Sequence, residues 1–236
     1  MYKILAKIES KNPLYLKFRR KIVKRSSFGR QLLENEFKGD CANVDWLYNN
    51  MVADLPKADR FFRDKISKYV FYRTNLVQGF VKNRANAKIA SIACGSALEL
   101  RDCPESNTYH CFDTDQKALD NIVDKPNVIK FKTNVITHKF DKDYDFIYSC
   151  GLFDYFDQRL SKRVFKKLYN SLAPNGTLII GNVDKDSKDY CIFKNLLEWD
   201  LIIKSKQEML DWAEGIDQKM VMSDPWGELN YLIVRK

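Results

Sequence analysis

From Lys88 onward, apolar runs of strand length alternate with helical patterns, and this alternation limits the fold more than any other feature of the chain. It begins at Lys88–Leu100. Ile89–Ala93 is a strand-like run, Cys94–Ala97 are all small, and a helical pattern opens at Leu98. A strand, a tight turn and a helix N-terminus in that order aim unpaired N–H groups and partial positive charge at whatever lies in front of them. Small side chains let a ligand approach the backbone closely. Such joints also serve packing alone in any α/β protein, so this one gains functional meaning only in combination with residues downstream.

The alternation predicts strands over 88–93, 108–112, 128–133, 145–149 and 177–182. Helices are predicted after the first turn, over 115–123 and over 159–172. Pro126-Asn127 breaks one helix, and Pro174-Asn175-Gly176 turns the chain into the fifth strand. Repeated strand–helix units imply a parallel sheet covered on both faces. The end of the chain departs from the rule: helices are predicted over 193–197 and 207–213, then strands over 218–222 and 229–234. Asp224-Pro225-Trp226-Gly227 joins those two strands, and so short a link predicts antiparallel pairing, because a parallel crossover needs a dozen or more residues. Upstream, a helix starting near Pro13 and helical patterns over 26–38, 44–55 and 61–81 predict a helical N-terminal region, residues 1–84. Residues 85–236 are then a Rossmann-like α/β domain.

The net charge of +9 sits in one place: residues 1–30 hold ten Lys and Arg against one acid, Glu9, and the remainder is neutral. There Leu14, Leu16, Phe18, Ile22 and Val23 interleave with Lys17, Arg19, Arg20, Lys21, Lys24 and Arg25. This is either a solvated helix lying on the body or a contact for an anionic partner, whether membrane surface, nucleic acid, acidic protein or acidic peptide. No apolar run reaches the roughly 20 residues of a membrane span, and the N-terminus has no secretory pattern. Six scattered cysteines without a C-x-x-C pair predict packed, reduced thiols in a cytoplasmic protein and no zinc site.

The second predicted strand ends in Asp113, 18 residues after Gly95, close to the spacing of a nucleoside-binding α/β unit, where an acid accepts ribose hydroxyls. Asp113 and Asp115 divide two tasks, the ribose for the first and the cap of the next helix for the second. The order Ser-Ile-Ala-Cys-Gly-Ser-Ala, Phe-Asp-Thr-Asp, Asn134-Val135, Tyr-Asp-Phe-Ile-Tyr-Ser and Pro-Asn-Gly resembles the class I S-adenosylmethionine-dependent methyltransferases over about Lys88–Asn182, and the closing hairpin resembles that family's antiparallel last strand. The resemblance implies a mostly parallel seven-stranded sheet with S-adenosylmethionine as cofactor. It implies cofactor contacts at Ala93, Gly95 and Ser96 on the turn, at Asp113, at Asn134 and Val135, and at Cys150 after the fourth strand. Two departures stand out. The family's acid inside the first strand is Ser91 here, and two of its glycines are Ala93 and Ala97, which alanine can replace where φ is negative.

More narrowly, Ala-Cys-Gly-Ser-Ala-Leu-Glu-Leu, Cys-Gly-Leu-Phe-Asp-Tyr-Phe, Gly-Asn-Val and Leu-Glu-Trp-Asp-Leu-Ile resemble a bacterial subgroup. It includes enzymes assigned to forming fatty-acid methyl esters, and carboxyl methyltransferases acting on peptide C-termini are similar. The resemblance implies a carboxylate acceptor on a small molecule, fatty acid or peptide. The Asn/Asp-Pro-Pro-Tyr/Phe motif of amino-group methylation in nucleic acid is absent after the fourth strand, and Cys150 lacks the preceding proline of cytosine-C5 enzymes. Of the two histidines, His110 within the second strand reads as structural, while His138, after the third strand, is either a packing residue or a substrate contact. Asp154 and Tyr155 follow the fourth strand, where a substrate-facing loop is expected, Asn182 stands at the tip of the fifth, and Glu198 and Trp199 either line the far wall or only pack. Arg73 is either an exposed helix residue or, with Tyr72, a clamp for an anionic substrate. With so few candidate bases, a carboxylate, which needs no deprotonation, is the expected acceptor. An RNA methyltransferase using the basic arm and a non-catalytic, degenerate fold are the alternatives.

Overall fold

A computed structural model describes residues 13–34, 41–50 and 54–236. The chain divides into two compact units: the described residues up to Phe71 with Asp186–Leu201, and Tyr72–Lys185 with Ile202–Lys236. This differs from a simple division at residue 84. The last turns of a long helix belong with the sheet, and the segment that interrupts the strand–helix alternation near the C-terminus belongs with the N-terminal helices.

The first unit contains α1 (Pro13–Val23), α2 (Ser27–Glu34), α3 (Cys41–Asn49) and the start of α4 (Lys57–Lys82). Buried Val23, Phe28, Leu32, Leu47, Phe62, Ile66, Val70 and Leu197 form its core. Asp59, in the first turn of α4, accepts hydrogen bonds from Ser26 Oγ at 2.7 Å, Ser27 Oγ at 3.0 Å and the Phe28 amide at 3.0 Å, which fixes the entry to α2. The outer parts of the helices predicted over 26–38 and 44–55 lie partly outside the described residues.

The second unit is built on a seven-stranded sheet. Its strands are β1 (Lys88–Ile92), β2 (Thr108–Asp113), β3 (Val128–Lys132), β4 (Tyr144–Cys150), β5 (Leu172–Val183), β6 (Lys219–Ser223) and β7 (Leu229–Arg235). They lie in the order β3-β2-β1-β4-β5-β7-β6. All pairs from β3 to β5 are parallel, whereas β7 runs antiparallel to β5 and also to β6, the latter as the short Asp224–Gly227 link requires. Alternate residues serve opposite faces. Ala90, Ile92, Phe112, Ile147, Leu178, Ile180 and Leu232 pack on one side with α6 (Gln158–Asn170) and the Met209–Ala213 segment. Ile89, Cys111, Phe146, Tyr148, Ile179 and Tyr231 pack on the other with Val77 and Val81 of α4.

The helix expected from Leu98 is not formed. A single 3-10 turn, Leu98–Leu100, stands there instead. Pro104 has no N–H for a helical bond to Leu100, and its ring disfavours helical geometry at Cys103, so the turn cannot propagate. The anion-attracting helix N-terminus expected at this point is therefore absent, and the turn has only its own backbone to offer. The fifth strand is also longer than predicted. Pro174-Asn175-Gly176 lies within β5, where the pairing with β4 shifts register beside Tyr144 and Asn175 takes a φ of 64°.

Candidate functional site

The turn after β1 brings the sequence candidates to the carboxyl edge of the sheet. Cys94 N–H continues the ladder to the Phe112 carbonyl at 3.1 Å, and Ala97 N–H closes the turn on the Cys94 carbonyl at 3.0 Å. Between them, Gly95 N–H donates to Asp113 Oδ2 at 2.8 Å. The other oxygen, Asp113 Oδ1, accepts the Asp115 amide at 3.0 Å, and Asp115 in turn caps α5 (Gln116–Asp120) through the Lys117 amide at 2.9 Å. Asp115 thus caps the next helix as expected, while Asp113 holds the turn after β1 through two backbone amides. Asp113 is half-buried and uses one lone pair on each oxygen, which leaves further acceptor positions for a diol.

Three residues of this turn are left-handed: Ala93 at φ 51°, Gly95 at 55° and Ala97 at 44°. The expectation of negative φ at the two alanines is corrected. The tight return from β1 into the 3-10 turn needs left-handed backbone at these positions, and the two alanines adopt it at a steric cost that glycine avoids.

A small cavity, about 30 Å³, opens beside the turn. Its wall includes Arg73 from α4, Ser91 and Ala93 at the end of β1, Glu99, and Tyr148 and Cys150 of β4. Arg73 Nη1 donates to the Cys150 carbonyl at 3.1 Å. Tyr148 donates its hydroxyl to Glu99 Oε1 at 2.7 Å. Burial first, and then the Glu99 carboxylate, push the Tyr148 hydroxyl well above its ordinary value, so it stays protonated as the donor. A guanidinium and a carboxylate on one small polar wall complement a zwitterion. Sequence reasoning missed Glu99 and Tyr148. The available signal was an acid between two buried leucines, Leu98 and Leu100, and a tyrosine inside an otherwise apolar strand whose hydroxyl needs a partner.

The remaining candidates have varied surroundings. Ser96 is buried, and Val135 packs into the core. Exposed Asn134, after β3, accepts the Ile136 amide at 2.9 Å. His110 meets the Tyr144 hydroxyl at 2.8 Å, with its basicity lowered by burial and then by Lys88. His138 sits among Phe112, Phe131 and Phe140, with Nδ1 at 3.3 Å from Thr133 Oγ1, and burial followed by Lys167 lowers its pKa. Tyr155 packs against the core. Burial pushes the Cys150 thiol up to about 12, which leaves no thiolate nucleophile at neutral pH.

Asp154 is not on an open loop. It lies in the 3-10 turn Leu152–Tyr155, where its Oδ1 accepts the Val183 amide at 2.8 Å and the side-chain amide of buried Asn182. Burial raises its pKa to about 7 despite those bonds and the nearby cations Lys204 and Arg73. Lys204 is buried as well and donates to the carbonyls of Phe153 at 2.8 Å and Ile202 at 2.9 Å. Together these residues bolt the segment after β4 to the end of β5.

No family model matches the sequence, and no curated protein does. Solved structures do. A protein of Bordetella parapertussis, described as a possible exported protein, superposes with a TM-score of 0.76 over 92% of this chain and 85% of its own, at 17% identity. The S-adenosylmethionine-dependent methyltransferase SibL in its apo form gives 0.60 over 88% and 65%, at 12% identity. The N-methyltransferase NodS from Bradyrhizobium japonicum, in complex with S-adenosyl-L-homocysteine, gives 0.56 over 81% and 97%, also at 12%. This is the class I methyltransferase fold. Within that fold, the turn after β1 and the tip of β2 stand at the carboxyl edge, where open α/β sheets bind their ligands. Among the described residues no cluster of potential metal ligands is found, and no helix is long and apolar enough to cross a membrane.

Proposed function

We propose that the chain is an S-adenosylmethionine-dependent methyltransferase that converts a carboxylate on a small molecule, fatty acid or peptide to its methyl ester. The observation that carries the cofactor reading is the pairing of Arg73 and Glu99 on one small cavity beside the Gly95–Asp113 joint. The residues present fit the group. Arg73 would hold the carboxylate of its methionine part, and Glu99 with Ser91 its ammonium, which supplies the anion that Ser91 lacks. Ala93, Gly95 and Ser96 would border the methionine chain, Asp113 would accept the ribose hydroxyls, Asn134 and Val135 would flank the adenine, and Cys150 would close the floor. When bound, the cofactor supplies a sulfonium methyl group for in-line displacement, a reaction governed by alignment and exclusion of water.

The acceptor reading rests on the state of the candidate bases. His110 is paired, His138 is packed among aromatic rings, and Asp154 is committed to Asn182 and Val183. A carboxylate needs none of them. The free thiols of Cys94, Cys103, Cys111 and Cys150 fit a reducing cytoplasmic setting. A second reading, a fold that binds without turnover, draws on Ala93 and Ala97 standing where glycine would be unstrained.

The deciding experiment pairs calorimetry of S-adenosylhomocysteine binding with transfer of label from S-adenosylmethionine in a cell extract. Micromolar binding and base-labile label are expected. Binding with base-stable label would move the acceptor away from carboxylates, binding without label would favour the non-catalytic reading, and no binding would remove the cofactor assignment.

A further inference from the structure

The outer face of α1 is not an ordinary solvated face. Leu14 is 79% exposed and Phe18 is 62% exposed, one helical turn apart. Lys17 and Lys21 are exposed on the same helix, and Lys24 and Arg25 directly after it. At 100° per residue, Leu14, Phe18 and Lys21 fall within about 60° of one another, with Lys17 at their flank. The opposite side is anchored within its own unit: Val23 is buried in the core, and Arg20 pairs with Glu198 at 2.6 Å and reaches the Asn195 carbonyl at 3.4 Å. The helix therefore holds a large leucine and a phenylalanine in water, ringed by cations, in the part of the sequence that carries the whole net charge.

We infer that this face docks on an anionic lipid bilayer, with Leu14 and Phe18 entering the headgroup–acyl boundary and Lys17, Lys21, Lys24 and Arg25 facing anionic headgroups. Charge complementarity selects an anionic surface, and the two exposed apolar side chains select lipid over a phosphate backbone, which offers nothing apolar to a leucine. With four cations and two apolar anchors, binding is reversible and salt-sensitive, at about fivefold in partitioning per cation. The inference does not rest on the methyltransferase reading.

The test is co-sedimentation of the full chain with vesicles of phosphatidylcholine alone and of phosphatidylcholine with about one-third phosphatidylglycerol, across a salt series. Binding to the anionic vesicles only is expected, weakened at least tenfold by Leu14→Ser/Phe18→Ser at unchanged net charge, and similarly by Lys17→Glu/Lys21→Glu. Leu14→Ala/Phe18→Ala, which keeps helix propensity, separates lost contact from lost helix and is expected to show the same weakening. Undiminished binding by both apolar variants, failure to bind anionic vesicles, or tighter binding to single-stranded RNA than to vesicles would overturn it.

Discussion

Gly95 and Asp113, 18 residues apart, are joined by a 2.8 Å hydrogen bond from the glycine amide to a carboxylate oxygen. The bond ties the turn after β1 to the tip of β2, and the Asp115 amide holds the second oxygen at 3.0 Å. The carboxylate is thus oriented before any ligand arrives. Asp113→Ala is expected to weaken S-adenosylhomocysteine binding at least tenfold and to lower stability by about 1–3 kcal/mol, the scale of losing hydrogen bonds to a charged group. Asp113→Asn keeps one accepting oxygen but sets its NH2 against the other backbone N–H, so it should recover only part of the stability and little of the affinity. Calorimetry and urea denaturation of the two variants check this, and unchanged affinity in Asp113→Ala would remove the ribose role.

The left-handed alanines lead to a prediction of unusual sign. Ala93 and Ala97 sit at φ 51° and 44°, where a Cβ costs about 1–2 kcal/mol, while glycine adds about 0.5–1 kcal/mol of unfolded-state entropy. Ala93→Gly and Ala97→Gly are therefore expected to leave stability unchanged or to raise it by up to about 1 kcal/mol. Ala93→Val should be clearly destabilising. Denaturant midpoints decide, and a loss of stability on both glycine substitutions would mean that the turn relaxes to negative φ in solution.

These alanines also mark where the sequence stopped being legible. The sheet could be read because buried parallel strands are nearly continuous apolar runs and the Asp224–Gly227 link is too short for a crossover. The place of Asp113 at the tip of β2 could be read because its distance from Gly95 follows from one strand–turn–strand unit. Backbone sign at Ala93 and Ala97 depends on how sharply the chain must return, which no single residue type announces. The missing helix after Leu98 is a case where Pro104 outweighs the leucine spacing. Glu99 and the burial of Asp154 were hidden for a different reason. Glu99 lines the cavity beside Tyr148 of a separate strand, and Asp154 is bonded to the end of β5, which comes later in the chain.

Glu99 and Arg73 can be separated from the scaffold by substitution. Glu99→Gln keeps an acceptor for the Tyr148 hydroxyl and removes the charge, so it is expected to weaken S-adenosylhomocysteine binding about tenfold with little change in melting temperature. Arg73→Lys keeps the charge but loses the planar fork and should fall between wild type and Arg73→Met. Affinity measured with S-adenosylhomocysteine and with 5′-methylthioadenosine, which lacks the amino-acid end, makes the assignment specific. Both losses should appear with the first ligand and vanish with the second, and equal losses with both would place these residues away from the methionine subsite.

Asp154 makes stability depend on pH in a defined direction. Its folded carboxyl titrates at about 7, above the ordinary 3.8, because burial disfavours the charged form more than the Val183 amide, Lys204, Arg73 and Asn182 favour it. The folded state therefore holds this proton more tightly than the unfolded chain does. Its contribution favours folding below about pH 4, declines as pH rises through the window from about 4 to about 7, and is a constant cost above it. Asp154→Asn retains an oxygen for the Val183 amide and for Asn182 and carries no charge at any pH. Relative to the variant, wild type should lose stability progressively across that window, by an amount on the order of 4 kcal/mol at most, and run parallel to it above pH 7. Paired urea titrations from pH 4 to pH 8 are the measurement. A difference that stays flat through the window would show that Lys204 and Arg73 keep Asp154 ionised throughout.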